Sequence, residues 1–539
     1  MPNESWKSST EMATTSAGEP MDTAEFAFTE NGPWAVSRQE LEWARGIDTL
    51  RSIIAGQVPS LVTRRSLPPF SRSVVVGFHL GGALAKWAAF DRRHGGSRSR
   101  AGLSSRLRRA AEHLGPTYIK LGQIISSGEG LFPTELVEEF KACRDQVPPE
   151  SFDVVRSIVE SDLDAPIEQI FSEFERVPLA SASIAQVHRA RLTTGEEVVV
   201  KVQRPTIRSQ VKADLSIMSW LAPLLVGRIP VSALANPPAL VELFAATISE
   251  ELDFRIEAAN MLDMAASFTE LGQRGVIVPR PHPKLVTRRV LVMERLHGIA
   301  FDDLESMHEA GIDTHEIIRV GMRAFTEGCM VHGMFHGDLH GGNLFILNDG
   351  RIALLDFGIT ARMTEQQRLA FLRLMISGAG SDVTGQLAAL RDLGALPPDT
   401  DLAEVIRDLG LDKEPIDPTK LTQQQLVAEL QKIIKSLLGM GARLPKVLML
   451  YVKNLVFLDG AIAKLAPDLD LLSEVAELSM YLSMTHGERL AAEVGVSAAD
   501  FTVDREDLRR NAGIDIPEGT PLTYKDLRKR REIIRRRLG

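Results

Sequence analysis

Asp338, Asn343 five positions later and Asp356 thirteen beyond that form the centre of a stretch from His336 to Gly358. Its ends read His336-Gly337-Asp338-Leu339-His340-Gly341-Gly342-Asn343 and Asp356-Phe357-Gly358. Phosphoryl transfer needs little covalent help and much charge neutralisation, so two side-chain oxygens must hold Mg2+ against the phosphates of ATP. Asn343 and Asp356 have the donor chemistry of those metal ligands. Asp338 has that of the base or orienting group facing a hydroxyl or water. The spacing predicts a nucleotide-dependent phosphoryl-transfer enzyme.

These side chains need elements to aim them. Leu344-Phe345-Ile346-Leu347 and Ile352-Ala353-Leu354-Leu355 flank the turn signal Asn348-Asp349-Gly350, so a hairpin would carry both ligands to one end. Upstream, strands are expected at Glu175 to Leu179 and Val187 to Leu192, with a small-residue loop from Pro178 to Gln186 between them. Val198-Val199-Val200-Lys201-Val202 reads as a buried strand bearing one cation, which is costly unless paired. A long helix from Pro238 to Phe268 places Asp253 and Glu257 four apart on one face, which implies a facing cation; a solvated acidic face is the alternative. A helical insertion over 209–237 accounts for the distance from Lys201 to Glu257. Val290-Leu291-Val292-Met293-Glu294 supplies another strand, followed by Leu296 and Gly298 where a hinge would present backbone groups to adenine.

The flanks are less chemical. Residues 1–36 are rich in Ser, Thr, Glu, Gly and Pro without hydrophobic period, which predicts disorder. A helical pattern spans Ser37 to Leu61. The apolar window Val74 to Phe90 is interrupted by His79 and Lys86, and a spanning helix wants about 20 apolar residues, so a packed or interfacial helix is favoured. Arginines from Arg92 to Arg109 follow it, and that juxtaposition suits an anionic membrane surface as well as plain solvation. Pro116 opens a helix with Leu121, Ile124 and Ile125 inward; Lys120 and Gln123 border that stripe, where a lysine ordinarily snorkels to water. Helices are expected after Pro133 and from Ser151 to Val159. Beyond Gly358 the chain enters a helix at Thr364 with no Ala-Pro-Glu element and stays mostly helical to Ser483. The tail from Lys525 to Arg537 is strongly basic, suited to anionic lipid, an acidic partner or solvent.

At 539 residues the chain exceeds one typical core, and 44% hydrophobic with 25% charged residues is ordinary for a globular protein. A net charge of -9 argues against general nucleic-acid binding. Two cysteines, Cys143 and Cys329, fit a reducing compartment and a packing role. No secretory signal is visible, which points to the cytoplasmic side, peripheral at the inner membrane face if the membrane reading holds.

With these pieces assembled, the sequence resembles the UbiB or AarF family of atypical kinases, which includes the coenzyme Q biosynthesis kinases. The resemblance covers roughly Leu114 to Leu469. Lys120-Leu121-Gly122-Gln123 is similar to the family's KxGQ motif, Ala180 to His188 to its alanine-rich loop, Glu251-Leu252-Asp253 to its ExD motif, and 336–358 to its catalytic and metal loops. The resemblance implies an α+β, bilobal protein-kinase-like fold with a small antiparallel-sheet N-lobe, a helical C-lobe and an added N-terminal helical extension. The expected units are 1–36 (disordered tail), 37–172 (extension), 173–296 (N-lobe with insertion), 297–483 (C-lobe) and 484–539 (basic tail).

It also implies site roles. Lys120 and Gln123 fold over the active site with Glu251 and Asp253 as polar partners. Ala180, Ser181, Ala182, Ser183 and Ile184 cover the phosphates, Lys201 is the nucleotide lysine with Glu257 as its helix partner, and Met293 and Glu294 sit at the hinge. The implied activity is ATP hydrolysis or phosphorylation of a small lipid-pathway molecule with Mg2+, protein phosphorylation being disfavoured. The implied partners are ATP, that substrate, an anionic membrane surface and a lipid-enzyme protein, with no nucleic acid. The sequence departs from the family's frequent His-Ala-Asp-Pro-His-Pro-Gly-Asn at Gly337, Leu339 and Gly341, a loop also similar to aminoglycoside-kinase-type phosphotransferases. Ala185 stands where Gly is frequent. A nucleotide-regulated scaffold without catalysis and an open-cleft small-molecule phosphotransferase are the alternatives.

Overall fold

The computed structural model describes residues 27–30, 32–35, 38–63, 68–126, 132–142, 147–225, 237–380, 382–411, 436, 440, 442, 445–497, 508–509 and 520–538. Two 3-10 turns, Arg38–Glu40 and Glu42–Ala44, lead into α1 (Ile47–Val62), so the helix expected from Ser37 starts later. Then come α2 (Phe70–Phe90), α3 (Gly96–Leu114), α4 (Pro116–Ser126) and α5 (Thr134–Lys141). Gly115, at φ +94, makes the sharp turn between α3 and α4 that a side chain would strain, and Pro116 starts α4 where no N–H is needed. Tyr118, Ile119, Ile124 and Ile125 of α4 pack in one core with Leu103, Leu114 and Phe140.

α6 (Phe152–Leu163) and α7 (Ile167–Ile170) precede an antiparallel sheet built from β1 (Phe171–Phe174), β2 (Ala180–Ser181), β3 (Ala185–Leu192) and β4 (Glu197–Gln203). After α8 (Ile207–Leu225), α9 (Pro237–Glu251), α10 (Phe254–Glu270) and β5 (Val276–Ile277), the strands β6 (Pro281–Val286) and β7 (Val290–Glu294) complete it in the order β1-β3-β4-β7-β6, with β2 on β3. The period of two along β4 sends Val198, Val200 and Val202 into a core with Val155, Ile158 and Val159 of α6, and Lys201 to the opposite face. That packing seats α6 against the sheet. The strand expected at Glu175 to Leu179 lies earlier, at β1. Pro178 has no N–H to give a ladder, and isolated backbone bonds, Glu175 N to Arg189 O (2.9 Å) and Leu179 N to Val187 O (2.7 Å), tie this stretch to β3.

The single helix expected from Pro238 to Phe268 is two. Asp253 takes an extended conformation and its side chain accepts from Arg255 N, ending α9 and capping α10. α8 supplies the described part of the helical insertion expected over 209–237.

The second lobe holds β8 (Ile299–Ala300), α11 (Leu304–Glu309), α12 (Thr314–Glu327), β9 (Met334–His336), β10 (Leu344–Ile346), β11 (Ile352–Leu354) and β12 (Thr360–Arg362). The predicted hairpin is present as β10 and β11, antiparallel with Phe345 opposite Ala353, and β9 pairs with β12. α13 (Glu365–Ala379), α14 (Val383–Asp392), α15 (Leu402–Leu409) and the helices Lys446–Leu465, Leu471–Val494 and Tyr524–Leu538 follow. The expected division at 483/484 lies inside Leu471–Val494, which is anchored beyond it by buried Leu490 and Ala491. The fold is the bilobal α+β kinase-like architecture.

The disorder expected for 1–36 falls outside the described residues over 1–26, but not at its end. Ala27 and Phe28 are buried, and Trp34 Nε1 donates to Pro281 O at 3.0 Å. Cys329 is buried; Cys143 lies outside the described residues. α2 is long and apolar enough to cross a membrane by length and composition, yet Val76, Ala83 and Trp87 pack inward while Phe70 (85% exposed) and Phe78 (76%) face out.

Candidate active site

A cavity of about 1090 Å3 opens between the lobes, and the residues with chemical promise converge on it. Lys201 reaches it from β4, Glu257 from the first turn of α10, and Asp338, Asn343 and Asp356 from the far lobe. Lys201 Nζ donates to Glu257 Oε1 at 2.7 Å, Glu257 Oε2 at 3.0 Å and Asp356 Oδ2 at 3.0 Å. The cation that its apolar strand demanded a partner for therefore has two. Asp356 is fixed in turn by Gly358 N–H at 2.9 Å, and the Phe357 carbonyl accepts from Asn260 Nδ2 at 2.9 Å. His336 ties the two loops together: Nδ1 accepts from Asp338 N at 3.1 Å and Nε2 donates to the Asp356 carbonyl. Burial holds this ring below the usual imidazole range, in keeping with that neutral arrangement.

Electrostatics separate the carboxylates. Burial pushes Glu257 up to about 7, against the pull of Lys201 and with the help of the Asp356 charge. Partial desolvation in the cleft works against the Asp356 charge, though its side chain is 41% exposed, and Lys201 and the Gly358 N–H hold it down at about 2. Burial works against Asp338 as well, yet Lys453, Lys120 and His340 keep it far below the carboxylate range. Lys201 stays above the ordinary lysine range because Asp356 and Glu257 outweigh its burial. Ionised aspartates beside a lysine are the pattern of a polyanion and metal site.

α4 brings Lys120 and Gln123 to the same cavity, with Lys120 Nζ 3.0 Å from Glu251 Oε2. Glu251 Oε1 is buried without a hydrogen-bond partner among the described residues. Ala180, Ala182, Ser183 and Ile184 line the cavity from the small-residue loop, and Met293 and Glu294 from the end of β7. Two predicted site residues do not line it. Ser181 donates its Oγ to Val147 O and accepts from Arg204 Nη2, both at 2.8 Å, so it anchors the loop from behind. Asp253 is spent on capping α10 and on Arg255, at 2.9 and 2.7 Å.

Sequence reasoning missed Lys453. Its Nζ is paired with Asp338 Oδ1, and nothing in a long apolar helix far downstream signals that contact. It also missed Asn454, which is fully buried and donates Nδ2 to His336 O.

The residues fit Mg2+ with a nucleotide. Asn343 gives its Nδ2 to the Asp338 carbonyl at 3.1 Å, which leaves Oδ1 as the end able to ligate a cation near Asp356. Among the described residues no group of three or more His, Cys, Asp or Glu side chains could hold a metal by itself. Mg2+ does not require one, because it takes one or two protein oxygens and completes its shell with phosphates and water.

The ABC1 atypical kinase-like domain model matches residues 142–388. A Mycobacterium tuberculosis protein, named only as uncharacterised, is 36% identical over 372 residues, covering 67% of this chain and 74% of its own. An Arabidopsis thaliana chloroplastic aarF domain-containing protein kinase, also named as uncharacterised, is 32% identical over 393 residues, covering 68% and 73%. A probable protein kinase UbiB of Marinobacter nauticus is 32% identical over 395 residues, covering 72% and 71%.

Proposed function

Because this chain belongs to the ABC1 family of atypical kinases, in which the UbiB and aarF-type proteins fall, we propose that it binds Mg-ATP in the inter-lobe cavity. It either hydrolyses the nucleotide or phosphorylates a small acceptor of isoprenoid-quinone or other lipid metabolism. The observation that carries this reading is the meeting of Lys201 with Glu257 (2.7 Å) and Asp356 (3.0 Å) in one cavity with Asp338 and Asn343. Bound Mg-ATP supplies the transferable phosphoryl group. Lys201 draws in the phosphates while Glu257 keeps its ammonium aimed. Asn343 and Asp356 hold the metal, and the loop of Ala180, Ala182, Ser183 and Ile184 covers the phosphates. Met293 and Glu294 flank the adenine end. Asp338 orients a hydroxyl or water for in-line attack. α4 closes one side of the cavity with Lys120 and Gln123, which favours a small acceptor over a folded protein. The exposed apolar face of α2 and the basic helix Tyr524–Leu538 support a peripheral position on an anionic membrane surface at the cytoplasmic side, beside a lipid-pathway enzyme.

The test is Mg2+-dependent ATP turnover. Asp356→Asn removes the charged one of the two metal ligands and is expected to lower turnover by roughly 100-fold or more, and Asp338→Asn to slow it with nucleotide binding retained. Turnover equal to wild type in Asp356→Asn overturns the reading.

A further inference from the structure

The cleft contains a cation that the expected machinery leaves unused. Lys453 stands near the middle of Lys446–Leu465, its side chain 13% exposed and its ammonium on the Asp338 carboxylate. The family match ends at residue 388, well before this helix. Asn454 pins the helix to the catalytic loop at His336 O, and Val456 and Phe457 line the cavity beside Lys453. The ammonium is thus built into the site rather than swept across it by a mobile surface chain.

A phosphoryl group in flight spreads negative charge over its peripheral oxygens, and a positioned cation there is worth more inside a dry cleft than in water. The cavity-lining cations divide by their partners. Lys201 is held by Glu257 and Asp356, Lys120 by Glu251 at 3.0 Å, Arg295 by Glu197 at 3.3 Å, Lys141 by Glu138 at 3.2 Å and Arg189 by Glu175 at 3.9 Å. On the catalytic loop itself, His340 Nδ1 accepts from Gly342 N at 3.2 Å, so its ring is engaged with the loop backbone. Among the described residues, Lys453 is the cation in hydrogen-bond contact with the Asp338 carboxylate.

We propose that Lys453 is the catalytic cation for the terminal phosphoryl group, resting on Asp338 in this structure and turning to the γ-phosphate oxygens when Mg-ATP fills the cleft. The inference rests on the Mg-ATP reading above. The acceptor oxygen then forms its bond to the γ-phosphorus as the bond from that phosphorus to the bridging oxygen breaks. ADP leaves with the bridging electron pair, and the acceptor's proton passes to the Asp338 carboxylate.

The experiment compares Mg-ADP with Mg-AMPPNP, which alone carries a γ-phosphoryl group, by calorimetry on wild type, Lys453→Met and Lys453→Arg. Lys453→Met is expected to keep Mg-ADP affinity within threefold, to lose tenfold or more in Mg-AMPPNP affinity and to lower kcat about 100-fold; Lys453→Arg restores part of both. An unchanged ratio of the two affinities in Lys453→Met overturns the assignment while leaving the Mg-ATP reading intact. Wild type that binds neither nucleotide overturns that reading and this inference with it. Should Lys453→Met fail to fold, Lys453→Gln carries the same comparison under the same criteria.

Discussion

Replacing Glu257 with Gln keeps the side chain's volume and removes its charge, so it probes the electrostatics of the cleft with little change in packing. The carboxylate is 4% exposed and meets Lys201 Nζ at 2.7 and 3.0 Å. Burial carries its pKa from an ordinary 4.5 to about 7. At 1.36 kcal/mol per decade that rise sets about 3 kcal/mol against the ionised form. The folded value lies above the unfolded one, so this group favours the fold below about pH 4.5 and that contribution is lost as the pH rises through about 7. Part of the rise comes from the Asp356 charge, which a metal ion bound there would neutralise. Binding of Mg-nucleotide should therefore ionise Glu257 and release about half a proton at pH 7. Calorimetry of Mg-ADP in buffers of differing ionisation enthalpy measures that number, which should fall to near zero in Glu257→Gln. Affinity should weaken by roughly 10- to 100-fold, less than the ~3–5 kcal/mol of a wholly stripped buried ion, because Lys201 keeps Asp356 at 3.0 Å. Equal proton release in variant and wild type refutes the reasoning.

Arg72 of α2 grips the fully buried Asp214 of α8 at 2.7 and 3.0 Å; Arg72→Met should cost about 3–5 kcal/mol in urea unfolding, and the double variant Arg72→Met with Asp214→Leu should recover most of it. Asn260 gives Nδ2 to Phe357 O and receives Arg51 and Arg362, each at 2.9 Å, so Asn260→Ala should destabilise by about 1–3 kcal/mol and speed hydrogen exchange at Gly358. If α2 rests on a membrane, Phe70→Glu with Phe78→Glu should abolish co-flotation with anionic liposomes at low salt; flotation equal to wild type excludes that face.

The parts of the site that share a local element were legible in the sequence. Asn343 and Asp356 bracket one hairpin, so turn chemistry and the period of two brought them together. Lys201 announced itself as a charge on an apolar strand. What failed was what a neighbouring element decides. Asp253 lies three residues before Ile256 in a continuous helical pattern, and only the structure shows the chain breaking there to cap α10. Ser181 looked like its loop neighbours, but Arg204 and Val147 claim its hydroxyl from behind. Lys453 is 115 positions from Asp338, a separation that no periodicity spans. Residues 27–30 and 32–35 lack a hydrophobic period because they lie on the sheet lobe as an irregular strip, with Phe28 buried and Thr29 hydrogen-bonded to Glu294.

Segments outside the sheet lobe bear on one element, α10. Asp263 on its outer turns faces Arg38, Arg51 and Arg362, and these guanidiniums, against its burial, hold the carboxyl below its ordinary range. Arg362 follows Asp356-Phe357-Gly358 by only a few residues, and α13 is already capped at Thr364, which leaves no length for a separate activation segment. In protein kinases such a segment, once phosphorylated, helps seat the helix that carries the lysine's glutamate partner. Here a permanent carboxylate on that helix meets permanent arginines from the N-terminal extension and from β12. The Lys201–Glu257 pair is consequently assembled by the fold itself, and whatever gates the cleft must act elsewhere, at Lys120 on Glu251 or Lys453 on Asp338.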